Sequence, residues 1–145
     1  MKKFFIAMLG LVAITLPASA EAANPKMPDV SDMKLPMPMG LKGDFAKGAT
    51  FFVRNCAPCH GASGNGDGPR AYFITPPPRN FLLPASRKRL NRPVIYEAVT
   101  NGRFGTNMPA WGKVLSNQEI ADVSEFVFQN FIQPSQLSKK GSKGK

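Results

Sequence analysis

Two cysteines stand only two residues apart, and the chain's single histidine follows the second directly, in Cys56-Ala57-Pro58-Cys59-His60. No other cysteine or histidine is present. A disulfide closing so small a ring would remove little chain entropy and would staple nothing together. A zinc site needs about four ligands, and two Cys with one His fall short. A thioredoxin-like pair belongs beside a βαβ unit, and no alternating strand pattern occurs.

Covalent haem attachment fits the spacing. Two thiols add across the two vinyl groups of the macrocycle, and the next residue is held beneath the iron as an axial ligand. A lone histidine excludes bis-histidine ligation within the chain, so the sixth position falls to methionine, lysine, water or nothing. Beyond Cys59 the one methionine is Met108, in Gly102-Arg103-Phe104-Gly105-Thr106-Asn107-Met108-Pro109-Ala110-Trp111. A loop methionine usually fills a core, but this one has polar flanks, and it is the expected sulfur ligand. The metal ligands are thus expected to be His60 and Met108, on one haem c bound through Cys56 and Cys59.

The attachment chemistry needs an exported chain, and the N-terminus supplies one. Lys2 and Lys3 precede an apolar run, Phe4 to Leu16, and Ala18-Ser19-Ala20 follows. That is a secretory signal with cleavage expected after Ala20, at 1–20. The run is shorter than the ~20 apolar residues that span a bilayer. A periplasmic chain with no stable membrane span is therefore expected.

The 145 residues allow one domain. Residues 21–43 carry Pro25, Pro28, Pro36 and Pro38 and read as a mobile, disordered lead-in. Their methionines, Met27, Met33, Met37 and Met39, suit a Cu(I) thioether site by spacing, although a Met/Pro linker explains them equally. Residues 134–145 read as a Lys-rich disordered tail. The folded domain spans 44–133.

Three helices are expected within it. The first runs from Asp44, its N-cap, to Asn55. The second begins near Asn91 or Arg92, has Pro93 in its first turn, and ends at Asn101–Gly102. The third opens on the capping box Ser116-x-x-Glu119 and continues through Ile120, Val123, Phe126, Val127 and Phe131. Between the first two lies a Gly/Pro-rich loop, Gly61 to Leu90, whose length is anomalous unless it wraps something.

From Asp44 to Phe131 the chain resembles a class I c-type cytochrome. The resemblance rests on Gly48 and Phe52, on Cys56 to Gly61, and on Gly-x-Gly-Asp-Gly-Pro at Gly64 to Pro69. Pro-Arg-Asn-Phe at Pro78 to Phe81 and Gly-Thr-x-Met-Pro-x-Trp ending at Trp111 complete it. The latter motifs resemble the subgroup that supplies haem domains to some haem–copper oxidase subunits. The resemblance implies an all-α, small cytochrome c fold, with three main helices and long loops around a covalent haem. It implies that Gly48 lets the first helix cross the last near Phe126. It also implies a backbone carbonyl that accepts the His60 Nδ1 proton, with Pro69 as the candidate. Arg79 and Trp111 are candidate contacts to a haem propionate, against the alternatives of a solvated charge and a core ring.

The function implied is single-electron transfer by a soluble, monomeric carrier, not an enzyme. A haem subunit of a larger oxidoreductase and an open-site haem enzyme or gas sensor stand beside it. The chain holds 19 Lys and Arg against 9 Asp and Glu, a formal net charge of +10. That favours redox partner proteins with acidic docking surfaces, and the run Ser86 to Arg92 is a candidate docking cluster. Nucleic acid is not an expected partner, because no aromatic–basic interleaving occurs and the chain is read as exported.

Overall fold

The computed structural model describes residues 30–134. The expected leader at 1–20 with cleavage after Ala20, residues 21–29, and the expected tail beyond 134 lie outside the described residues. Five α-helical segments follow one another. They are α1 (Phe45–Asn55), α2 (Ala57–His60), α3 (Pro84–Arg87), α4 (Arg92–Asn101) and α5 (Asn117–Val127). Short 3-10 turns occur at Pro38–Gly40 and Ala71–Phe73, and α5 runs on into a π-turn, Phe128–Ile132. There is no strand among the described residues, and none of their helices is long and apolar enough to cross a membrane.

The three principal helices start where local chemistry satisfies their first amides. Asp44 accepts from the N–H groups of Ala46 and Lys47 at 2.9 and 3.1 Å. Asn91 caps α4 by accepting from Val94 N–H at 3.1 Å, with Pro93 inside the first turn. Ser116 and Glu119 close a reciprocal capping box on α5.

α1 crosses α5 at Gly48. A Cβ there would overlap the Asp122 carbonyl and come within 2.9 Å of Phe126 Cβ. Only glycine permits so close an approach of the two backbones. The rings of Phe45 and Phe52 then reach Phe126, with centroids 5.1 and 5.2 Å apart. Asp122 Oδ1 accepts from the Asp44 N–H at 2.7 Å and ties the start of α1 to the same helix. α5 is buried continuously from Ile120 to Val127 because α1, α4 and the segment before α1 all pack on it.

Two expectations are corrected. Within 30–43 the lead-in is part of the domain: Met37 is 4 % exposed and belongs to the core, and Met33 and Leu41 pack against it. Asn91 donates to the Asp32 carbonyl at 3.1 Å, and Gln118 donates to the Lys42 carbonyl at 2.8 Å. Prolines forbid a regular helix here, but they do not forbid docking, and an unbranched thioether fills an irregular gap readily. The loop Gly61 to Leu90 also contains two helical turns, Ala71–Phe73 and Pro84–Arg87.

Two side chains of the basic run Ser86 to Arg92 are engaged within the protein. Arg92 pairs with Glu125 through two hydrogen bonds of 2.6 and 2.8 Å, and its guanidinium lies 4.0 Å over the Phe128 ring. Arg87 Nε donates to the Phe131 carbonyl at 3.1 Å. Arg87, Lys88 and Arg89 all remain exposed.

Candidate metal centre

α1 ends at Cys56, whose N–H still bonds the Phe52 carbonyl at 2.9 Å. The Cys56 carbonyl in turn accepts from Cys59 at 3.1 Å and from His60 at 2.9 Å. Cys56, Cys59 and His60 therefore share a single helical turn, the spacing at which side chains neighbour one another. Both cysteines are free thiols and half-buried. Burial, reinforced by the adjacent Cys59, pushes the Cys56 thiol up to about 12.

His60 is held on two sides. Its Nδ1 lies 3.2 Å from the carbonyl of Arg79, so the proton placed on Nδ1 leaves the Nε2 lone pair for a metal. Burial lowers its pKa below the ordinary imidazole value, and the Arg79 carbonyl opposes this only in part. The ring is thus neutral at pH 7, as a ligand must be. Phe81 stacks on it with centroids 4.8 Å apart and planes inclined by 13°. Behind Phe81 the stack continues to Phe131 at 5.6 Å, and Phe131 meets Phe52 at 5.2 Å.

The acceptor for Nδ1 is thus the Arg79 carbonyl, not that of Pro69. The reason lies in how the loop folds. Gly66 N–H bonds the His60 carbonyl at 2.8 Å and Gly68 N–H bonds the Cys59 carbonyl at 3.2 Å, and Pro69 emerges at the surface. Phe81 N–H bonds the Gly64 carbonyl at 2.8 Å and brings Pro78 to Phe81 back alongside the histidine. The Arg79 residue is itself exposed, and its backbone carries the contact.

Met108 lies on a second loop, half-buried at the edge of the core. Gly102, at φ +68°, closes the base of that loop. A Cβ there would come within 2.6 Å of the Met108 carbonyl and 2.8 Å of Ala110 N. Arg103 N–H donates to the Met108 carbonyl at 3.2 Å, and Thr106 Oγ1 accepts from the Met108 N–H at 3.2 Å. Trp111 and Gly112 N–H groups then bond the carbonyls of Val99 and Thr100 at 3.0 and 2.9 Å and return the loop to α4. The Trp111 ring meets Phe51 of α1 edge-on, centroids 5.2 Å apart.

One cluster thus gathers Cys56, Cys59, His60 and the Arg79 backbone, and a second gathers Met108 and Trp111. Phe81 and Phe131 support the histidine and were not singled out from the sequence for that role. Phe81 stood within the Pro-Arg-Asn-Phe motif, and Phe131 stood on the apolar face of the third helix.

Comparison with known proteins identifies a cytochrome family. The family described as cytochrome C oxidase, cbb3-type, subunit III matches residues 43–127. A Cbb3-type cytochrome c oxidase subunit CcoP of Azospirillum sp. (strain B510) is 38 % identical over 93 residues, covering 59 % of this chain and 28 % of the relative. A cytochrome c6 of Bryopsis maxima is 33 % identical over 92 residues, covering 61 % of this chain and 93 % of the relative. A cytochrome c6 of Picosynechococcus sp. is 35 % identical over 86 residues, covering 58 % of this chain and 71 % of the relative. The match thus spans 71 % and 93 % of the two cytochrome c6 relatives and 28 % of the oxidase subunit, so the chain spans only about a quarter of that subunit's length. Two free thiols on one helical turn, followed by a neutral imidazole with one nitrogen engaged, suit the group that this family binds. Cys56 and Cys59 carry haem c covalently, with its iron.

Proposed function

The chain belongs to the cbb3-type subunit III family of cytochrome c domains, and from that premise we propose that it is a monohaem electron carrier with His60 and Met108 as its axial ligands. The observation that carries this reading is His60, half-buried and fixed by the Arg79 carbonyl, directly after two free thiols. The bound haem supplies a one-electron couple, and Met/His ligation favours a comparatively high potential. The residues do the rest. Arg79 and Phe81 hold the imidazole in one tautomer and one plane. The hydrogen-bonded loop from Gly102 to Gly112 presents Met108 sulfur. Two protein ligands leave no open position for a substrate, which favours a carrier over a haem enzyme or sensor. Trp111 and the Arg79 side chain are proposed neighbours of the propionates. A periplasmic, monomeric carrier meeting acidic partner proteins accords with the leader and the basic charge.

The test is carbon monoxide added to the ferrous holoprotein at neutral pH. A carrier leaves the visible spectrum unchanged, and rapid formation of a carbonyl adduct would replace this reading with an open-site one. The oxidase-subunit relatives favour a second reading, a haem subunit of a larger complex. Co-elution of the native protein with a large oxidoreductase on size exclusion would select it.

A further inference from the structure

Beside the attachment turn stands a pair of aromatic rings that nothing among the described residues covers. Tyr72 is 90 % exposed and Phe73 81 % exposed, and they meet edge-on, centroids 5.2 Å apart. Large apolar rings held in water in this way mark a contact surface. Their turn, Ala71–Phe73, is rigidly anchored. Arg70 N–H bonds the Pro58 carbonyl at 2.8 Å, Ala71 N–H bonds the Gly68 carbonyl at 2.8 Å, and Gly68 N–H bonds the Cys59 carbonyl at 3.2 Å. The turn that bears the rings is therefore tied through Gly68 to the backbone of Cys59.

Their electrostatic setting is one-sided. No Asp or Glu occurs between Asp67 and Glu97, whereas Arg70 and Arg79 flank the turn in sequence and are both exposed. We infer that Tyr72 and Phe73, with Arg70 beside them, form the docking surface for a redox partner protein that presents an apolar patch ringed by carboxylates. Tyr and Arg at the centre of a small apolar contact are the usual carriers of binding energy. Charge complementarity selects the partner, and like charges on this segment disfavour a second copy of the chain. Electron tunnelling weakens steeply with distance, so a partner gains from contact next to Cys59. A lipid anchor would gain nothing from that place.

The inference rests on the electron-carrier reading. The transfer is outer-sphere: one electron passes from the ferrous haem to Cu(II) of the probe, and no bond forms or breaks. The probe is an acidic cupredoxin whose copper lies under an apolar patch ringed by carboxylates. Stopped-flow transfer from the reduced holoprotein should slow about tenfold in Tyr72→Ser/Phe73→Ser, as loss of a docking hot spot implies. The visible spectrum and the rate with ferricyanide should be unchanged. Val53→Ser, at an exposed apolar position on α1, should behave as the unmodified protein. Arg70→Glu should slow the reaction at low salt and lose its effect at high salt. Affinity measured with both proteins reduced, when no electron moves, should fall in parallel.

A double variant that matches the unmodified protein in cupredoxin rate and affinity overturns the inference. So does a double variant that loses binding to phosphatidylglycerol vesicles, or self-association, while its cupredoxin rate stands. Failure of the unmodified holoprotein to exchange electrons even with ferricyanide would instead sink the carrier reading itself.

Discussion

Phe81 lies almost parallel to the His60 ring, 4.8 Å from it, and is itself backed by Phe131. The imidazole is therefore clamped by a hydrogen bond at one edge and by a ring on one face. Phe81→Ala removes the facing ring and opens a cavity, which typically costs about 3–5 kcal/mol. The denaturant midpoint of the holoprotein should fall accordingly, and Phe81→Leu should recover part of the loss.

Met108→Ala tests the proposed sixth ligand. The weak near-red sulfur-to-iron band of the oxidised protein should vanish, and the ferrous protein should gain an affinity for carbon monoxide. Persistence of the band would move the ligand to another methionine. The thioethers are tested separately: Cys56→Ala/Cys59→Ala should leave no haem stain after denaturing electrophoresis.

Gly48→Ala probes the helix crossing. The added methyl meets the Asp122 backbone, which cannot rotate away as a side chain would. Overpacking of this kind costs about 1–3 kcal/mol, read as a lower thermal midpoint with the haem spectrum retained.

Met37→Ala tests whether the segment before α1 belongs to the fold. A fully buried Met to Ala change costs about 2–5 kcal/mol. An unchanged denaturation midpoint would mean that residues 30–43 are detached in solution.

Glu125 sets a pH dependence. Burial pushes its carboxyl up, but hydrogen bonds from Arg92 and Gln129 and the Arg92 charge outweigh this, and its pKa lies below the ordinary 4.5. A depressed folded pKa contributes stability that is fully present above the unfolded value. That contribution is lost as pH falls through the folded one. Glu125→Gln should therefore flatten the decline of stability below pH 4.5, measured as denaturant midpoints from pH 7 to pH 3. Glu119, lowered by its capping bonds to Ser116, should preserve a residual slope.

What the sequence made legible was what short-range chemistry determines. Asp44 and Ser116 announce helix starts because a cap acts within three residues, and both cap as expected, while Asn91 caps the helix expected to begin near it. Cys56 to His60 is legible for the same reason. The partner of His60 Nδ1 was not, since Pro69 after a glycine-rich stretch and Arg79 after a proline run both lie within reach in sequence. Only the long-range bond from Phe81 N–H to Gly64 decides which carbonyl returns to the ring. The docking of Met37 was hidden by its prolines, which describe the backbone's freedom and say nothing of the cavity between α4 and α5. The inward use of Arg87 and Arg92 was equally invisible, because their acceptors lie on the far side of the chain.

The loop that presents Met108 closes on its own hydrogen bonds and is sewn to α4 at both ends. With Met108 as the proposed ligand, a sulfur carried on such a loop would keep its place whether the metal held two positive charges or three. Little nuclear rearrangement would then accompany the change of charge, and the reorganisation energy would be small. The speed of exchange is left to driving force and to how closely a partner approaches.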